Sequence, residues 1–289
     1  MQKPDWIKVK ALSEDSYDKI TTISKRYDLH TICQEALCPN INECWSAKTA
    51  TFLLMGEVCT RNCRFCSVKT GNPEGYLDND EPYNIAKAVQ DLGLKYLVLT
   101  SVDRDDLFDG GAEHFARTIR EIKKLNDKVI VEVLIPDFKG SIDSLKNIIK
   151  SAPDIIGHNI ETVERLTPLI RDKRASYEQS LNIHRTIKDI NKKMLTKSSI
   201  QVGFGETQQE IISALKDLRK YKTDIITIGQ YLRPTEKQIS VQEYIKPEIF
   251  RKYEKYAQNL GFSCVVSAPL ARSSYRAAES FMLSRLKFN

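Results

Sequence analysis

No apolar run in this 289-residue chain approaches the roughly 20 residues that a membrane-spanning helix needs; the best stretches, 51–55 and 96–99, are short. The opening segment, MQKPDWIKVKALSEDSYDK, has no apolar centre and carries acids. Neither a secretory nor a transit signal is expected there, and the expected location is the cytoplasm. The net charge of +6 comes from 44 basic against 38 acidic residues spread along the chain. Without a dense Lys/Arg tract, neither nucleic acid nor a membrane surface is an expected partner. There is also no low-complexity segment, no Pro/Gly linker and no internal repeat. With 41% hydrophobic and 28% charged residues, the chain has the profile of a globular protein able to bury a sizeable core.

Cysteine is the unusual component. Of seven cysteines, six fall between Cys33 and Cys66 (Cys33, Cys38, Cys44, Cys59, Cys63 and Cys66), and Cys264 stands apart. A disulfide scaffold is not expected in a mid-sized chain without a signal segment. Metal binding explains the clustering better.

From residue 51 onward, short Val- and Ile-rich runs alternate with amphipathic helical patterns. Strands are expected at 51–58, 95–100, 129–135, 154–160, 198–204, 224–230 and 262–267. Their nearly continuous apolarity suits strands covered on both faces of a parallel sheet. Helices are expected at 83–92, 112–125, 141–151, 177–191, 207–221 and 247–260, with Pro82 as one start signal and Thr207 with Glu210 as a capping box. Such alternation argues for an α/β fold of (β/α) units, as a barrel or an open sheet. Three regions follow: a 1–48 extension carrying Cys33, Cys38 and Cys44, a 49–267 repeat, and a 268–289 C-terminal segment.

The strongest chemical signal is CTRNCRFC, in which Cys59, Cys63 and Cys66 are spaced C-x3-C-x2-C directly after the first repeat strand. That position lies at the C-terminal rim of a parallel sheet, where such folds keep their active sites. Three thiolates hold three irons of a four-iron cluster and leave the fourth open. The alternatives are one face of a core helix, a redox pair at Cys63 and Cys66, or half a zinc site. Polar Thr60, Arg61, Asn62 and Arg64 make a poor core helix. With Phe65 as its aromatic, the motif resembles the signature of radical S-adenosylmethionine (SAM) enzymes.

Cys33, Cys38 and Cys44 form a second set, spaced C-x4-C-x5-C. A structural zinc site is the alternative here, but the short C-x2-C knuckle is missing; Cys264 reads as a small apolar strand residue. Both sets, together with RSSYR at 272–276, resemble the lipoyl synthase family. So do the blocks SVDRDDLFDGGAEHF, EVLIPDFKG, HNIETVERLTPLIRDKRASYEQSL, TKSSIQVGFGET and IGQYLRP, in order, over nearly the whole chain. Two departures are Ala268 where the family pattern has Gly and Gln238 where it has His; neither falls on a cysteine.

The resemblance implies a partial parallel (β/α)6 barrel and a sulfurtransferase that inserts two sulfur atoms at carbons 6 and 8 of an octanoyl group. It implies two 4Fe-4S clusters and two SAM molecules per lipoyl group. Cys59, Cys63 and Cys66 would hold the radical-generating cluster, and Cys33, Cys38 and Cys44 with Ser274 (or Ser273) the sulfur-donating one. On sequence alone the serine pair reads first as a helix cap before the run that starts at residue 275, and the resemblance reverses that order. Implied partners are octanoylated lipoyl carrier domains, in 2-oxoacid dehydrogenase acyltransferase subunits and the glycine cleavage H protein, with ferredoxin or flavodoxin as electron donor. Implied SAM contacts are Phe65, Ser101, Asp103, Asn159, Glu161, Gly203, Gly205 and Arg233, though the polar ones read equally as loop or cap residues. The stretch from Gly203 is not a dinucleotide loop, because position 208 is Gln. The four histidines form no ligand pattern, and His158 reads as a packed polar residue. Two other classes fit parts of the pattern: another radical sulfur inserter, such as a biotin-synthase-like enzyme or a methylthiotransferase, and a two-cluster electron carrier. The former lacks C-x4-C-x5-C with RSSYR; the latter needs no 200-residue α/β repeat.

Overall fold

The computed structural model describes residues 3–7, 14–46, 49–275 and 277–286. The chain forms two compact units. One comprises Val9–Arg61 and Ser67–Ile156, the other Met1–Lys8, Asn62–Cys66 and Gly157–Asn289. Among the described residues no helix is long and apolar enough to cross a membrane.

In the first unit, Glu14–Arg26 (α1) leads to His30–Thr31 (β1), Ile32–Glu35 (α2), Ile41–Ser46 (α3) and Thr49–Leu54 (β2). β1 lies antiparallel to β2, with His30 opposite Leu53. Two short strands, Val58–Cys59 (β3) and Lys69–Thr70 (β4), pair with each other. The repeat then runs Glu81–Leu92 (α4), Tyr96–Ser101 (β5), Ala112–Leu125 (α5), Ile130–Leu134 (β6) and Ile142–Lys150 (α6). β2, β5 and β6 are parallel neighbours, and β2 is buried along its whole length. That burial on both faces is why its sequence, TATFLL, does not alternate.

At Ile155–Gly157 (β7) the chain passes into the second unit. There follow Thr167–Ile170 (α7), Tyr177–Ile190 (α8), Leu195–Val202 (β8), Gln208–Lys220 (α9), Ile225–Gln230 (β9), Pro247–Asn259 (α10), Cys264–Ala268 (β10) and Ala277–Leu286 (α11). β8, β9 and β10 are parallel neighbours, and side chains such as Val202, Leu215, Ile226, Ile228 and Phe250 form their core with α9 and α10. Cys264 is buried in β10, as its apolar reading requires.

The expected α/β class holds, with boundaries shifted by local chemistry. Helix 112–125 is as expected, whereas α4 starts earlier than Tyr83, with Pro82 inside its first turn. The expected strand 51–58 stops at Leu54, because Met55 (φ 67°) and Gly56 (φ 83°) take left-handed conformations. Met55 is held there by donating its N–H to both carboxylate oxygens of buried Glu81, 3.0 Å each, and Glu81 lies 2.5 Å from His114 Nε2. Gly111 leaves the room: a Cβ there would sit 2.2 Å from the Met55 sulfur. The strand expected at 154–160 is confined to β7, and Glu161 adopts φ 65° beyond it.

The Thr207 capping box forms with both reciprocal bonds, and Glu210 also accepts from Arg165 Nε at 2.6 Å. Arg165, and then the Thr207 N–H, hold the Glu210 carboxyl down at about 2. A depressed folded value means this support is present above the ordinary carboxylate range and is lost only as pH falls towards 2. Thr207→Ala is expected to cost about 1 kcal/mol in anaerobic urea unfolding, with Thr207→Ser restoring most of it; equal stability of all three proteins would contradict the cap's role.

Candidate functional site

The turn at Met55 and Gly56 delivers the chain to β3, where the first cysteine motif starts. Residues 59–61 belong to the first unit and are anchored by Arg61, a buried guanidinium ringed by three aspartates. Nε and Nη2 reach Asp105 at 2.9 and 3.1 Å, Nη1 and Nη2 reach Asp137 at 2.9 and 2.7 Å, and Asp103 lies 3.4 Å from Nε. Burial opposes its charge, but the hydrogen bonds it donates to Asp137 and Asp105 outweigh that and hold Arg61 protonated. Thr60 donates its hydroxyl to the Asp103 carbonyl at 2.9 Å. The Cys59 sulfur receives the N–H groups of Arg61 (3.4 Å) and Asp103 (3.3 Å). Burial raises the Cys59 thiol, and the Asp103 charge adds to it, while those two amides favour the thiolate.

Residues 62–66 belong to the second unit, where Asp172 performs the anchoring. It accepts the Asn62 N–H at 2.9 Å and Arg174 Nε at 2.8 Å, and its own N–H points at the Cys63 sulfur, 3.3 Å away. The Arg174 guanidinium holds the Asp172 carboxyl well below the usual carboxylate range. Arg64 donates its N–H to the Ile170 carbonyl, and Cys66 to that of Cys63. Gln238 Nε2 donates to the Cys66 carbonyl at 3.1 Å, so this departure from the family pattern does touch the cysteine loop.

The second cysteine set is also local. Cys33 sits on α2, whose N-cap is Thr31; Cys38 donates its N–H to the Cys33 carbonyl; and Cys44 lies on α3. Burial, with the neighbouring Cys38 adding to it, pushes the Cys33 thiol up to about 12. None of the seven cysteines is in a disulfide.

Comparison with known proteins matches this arrangement. The Radical SAM superfamily model matches residues 53–218. A lipoyl synthase of Caldicellulosiruptor bescii is 52% identical over 277 residues, covering 96% of this chain and 94% of that protein. One from Francisella tularensis subsp. novicida is 51% identical over 286 residues, covering 99% of this chain and 88% of that protein. The chain belongs to the lipoyl synthase family of radical SAM enzymes. The crystallographically solved FeFe-hydrogenase maturase HydG from Carboxydothermus hydrogenoformans shares the fold alone, with 14% identity, TM-score 0.58, and coverage of 94% of this chain and 72% of that one. The partial parallel barrel expected from sequence agrees with that likeness.

Members of the lipoyl synthase family as radical SAM enzymes need a 4Fe-4S cluster and SAM, and the residues present fit both. Cysteines outside any disulfide, with amide donors on the Cys59 and Cys63 sulfurs, suit iron–sulfur ligation. Ser101 Oγ, at the end of β5, is buried and has no hydrogen-bond partner among the described residues, which fits a polar contact to a bound group. Asn159 and Glu161 are joined by a 2.9 Å hydrogen bond; Gln201 donates to Glu161, and the Ser273 hydroxyl donates to Asn159 Oδ1 at 3.3 Å. The RSSYR motif thus meets two expected SAM contacts in one network. Ser274 is half-buried and makes no hydrogen bond among the described residues; Arg276, the last residue of the motif, lies outside them.

Other expected contacts have partners in the protein itself. The space a Gly203 Cβ would need is taken by Gln230 Nε2 at 2.2 Å, so packing alone requires glycine there. Gly205 has open space, with Gln242 Cγ no closer than 3.7 Å. Phe65 lies 6.4 Å from Phe204, which stacks on Tyr231 at 4.3 Å. Arg233 hydrogen-bonds the carbonyls of Gln238 and Glu236. His158 is a packed polar residue beside His184, whose own value burial pushes down to about 3. The positioning residues Arg61, Asp137 and Asp172 were not singled out by sequence; their only signal was membership of charged family blocks.

The buried, protonated state of Cys33 has a direct consequence. In the cluster-free chain at neutral pH, iodoacetamide should alkylate Cys33 at least about tenfold more slowly than Cys38 or Cys44, because the thiolate is the reactive form. Peptide mass spectrometry checks this, and equal rates would contradict it.

Proposed function

We propose that this lipoyl synthase family member inserts sulfur at carbons 6 and 8 of an octanoyl group carried by a lipoyl domain. The observation that carries the reading is the pair of three-cysteine sets, none in a disulfide, in a chain about half identical to lipoyl synthases along nearly its whole length. Cys59, Cys63 and Cys66 hold one 4Fe-4S cluster with an open iron for SAM. Cys33, Cys38 and Cys44 hold a second, with Ser274 as fourth ligand on the family pattern. When bound, these groups supply a carbon-centred radical able to take hydrogen from an unactivated methylene, which no protein acid or base can do, and the sulfur that replaces it.

The protein's own residues bind and orient. Amide donors from Arg61 and Asp103 on Cys59, and from Asp172 on Cys63, favour the thiolates and fix their direction. Ser101, Asp103, Asn159 and Glu161 offer polar atoms to SAM at strand ends, Gly205 permits close backbone approach, and Phe65 offers an aromatic face; Gly203 and Arg233 shape this region through their own packing. Ser273 is committed to Asn159, which favours Ser274 as the ligand. An oxygen is a harder, less matched ligand for iron than thiolate, and suits a labile corner of a cluster that gives up sulfur. In regional terms, 1–48 and 268–289 carry the ligands of the second cluster and 49–267 the SAM-binding repeat. The partners are octanoylated carrier domains of 2-oxoacid dehydrogenase acyltransferase subunits and of the glycine cleavage H protein. A ferredoxin or flavodoxin supplies electrons, two SAM molecules are consumed per lipoyl group, and the cytoplasm is the setting.

The anaerobically reconstituted chain should contain about eight irons, four for each three-cysteine set. Cys63→Ala should abolish formation of deoxyadenosine from SAM under dithionite, while Cys38→Ala should keep it but lose all sulfur-containing product. Stoichiometric zinc with little iron would overturn the two-cluster reading, and normal product from Cys38→Ala the sulfur-donor assignment. Ser274→Ala should keep most iron and lose product yield; full yield would remove Ser274 as ligand.

A further inference from the structure

We propose that His30, Glu35 and Glu57 form a binding site for a divalent first-row transition metal ion, separate from both cysteine sets. The three come from β1, the end of α2 and the link between β2 and β3, all within one unit. One ligand atom from each lies within 4.8 Å of the other two, and each residue is half-buried. Their backbones are pinned. His30 is held in register opposite Leu53, the Glu35 carbonyl accepts the Ser67 hydroxyl at 2.7 Å, and Glu57 follows the left-handed turn at Met55 and Gly56.

The side chains converge without bonding to one another. Among the described residues, neither the His30 ring nor the Glu35 carboxylate makes a hydrogen bond or ion pair, and Glu57 has only Lys69 Nζ at 3.6 Å, an exposed contact. Three such atoms within 4.8 Å of one another, with no hydrogen bond or ion pair joining His30 to either carboxylate, are near enough for one ion to bring together. Ligand atoms about 2.0–2.2 Å from a metal stand about 3.0–3.6 Å from each other, so these side chains would draw together by about an ångström to close on an ion. One imidazole with two carboxylates is a donor set for Mn(II), Fe(II) or Zn(II). The competing occupant is a bridging water, which needs no metal. Lys69 opposes a cation here, and its removal should strengthen metal binding. The partners are far from ligand spacing in sequence, so no motif announces the site.

The test uses the full chain with iron and sulfide already assembled on its cysteines, oxidised and EPR-silent, titrated anaerobically with Mn(II). The six-line signal of free Mn(II) reports what remains unbound. One ion per chain should be taken up. Glu57→Gln and His30→Ala should each weaken uptake at least about tenfold, the range that even outer-shell losses reach, with iron and sulfide content unchanged. Lys69→Gln should tighten it by up to about fivefold, the scale of an exposed ion pair. A free signal undiminished up to millimolar Mn(II) would leave water as the occupant and overturn the proposal. Uptake that neither Glu57→Gln nor His30→Ala alters would overturn it too.

Discussion

The cysteine loop depends on one buried charge. Arg61, inside the motif itself, puts its guanidinium against Asp103, Asp105 and Asp137, which follow β5 and β6. Removing one side of such a network leaves an uncompensated buried charge, a loss of about 3–5 kcal/mol. Its planar fork meets two carboxylates in bidentate fashion, a geometry that lysine cannot reproduce. The backbone of the same residue donates to the Cys59 sulfur. A structural ion network and a hydrogen bond to a motif sulfur therefore share one residue.

Residues 62–66 follow the same logic with different parts. Asp172, neutralised by Arg174, takes the Asn62 N–H and gives its own to Cys63. Arg64 and Cys66 have their N–H groups matched to carbonyls as well. A loop without regular structure satisfies its polar groups through specific partners, and that satisfaction defines its shape. Within its own unit the Cys63 sulfur thus has an amide donor in place, as the Cys59 sulfur has in the other.

The sequence was most legible where the determining residues are near one another. Helix 112–125 and the Thr207–Glu210 box depend on spacings of three and four residues, and both cysteine sets fall within short segments, so each was readable directly. Strand 51–58 was overextended because its end is decided by Glu81, which captures Met55 from a later helix. Arg61 was read only as one of the polar residues that make a poor core helix, since Asp137 is distant in sequence and only folding joins them. The convergence of His30, Glu35 and Glu57 was hidden for the same reason. Gly203 was expected as a SAM contact, and its need for glycine against Gln230 was not legible, because the two meet only on folding. Local chemistry was visible, and long-range pairing was not.

The central claim is that the two cysteine sets serve a single sulfur-inserting reaction. Anaerobic reaction of the reconstituted chain with SAM, dithionite and an octanoylated carrier peptide, followed by intact-mass analysis and deoxyadenosine quantification, tests it directly. The account predicts a peptide that gains two sulfur atoms and about two deoxyadenosines per product, since each unactivated carbon needs its own radical. Deoxyadenosine released with an octanoyl peptide of unchanged mass would contradict it.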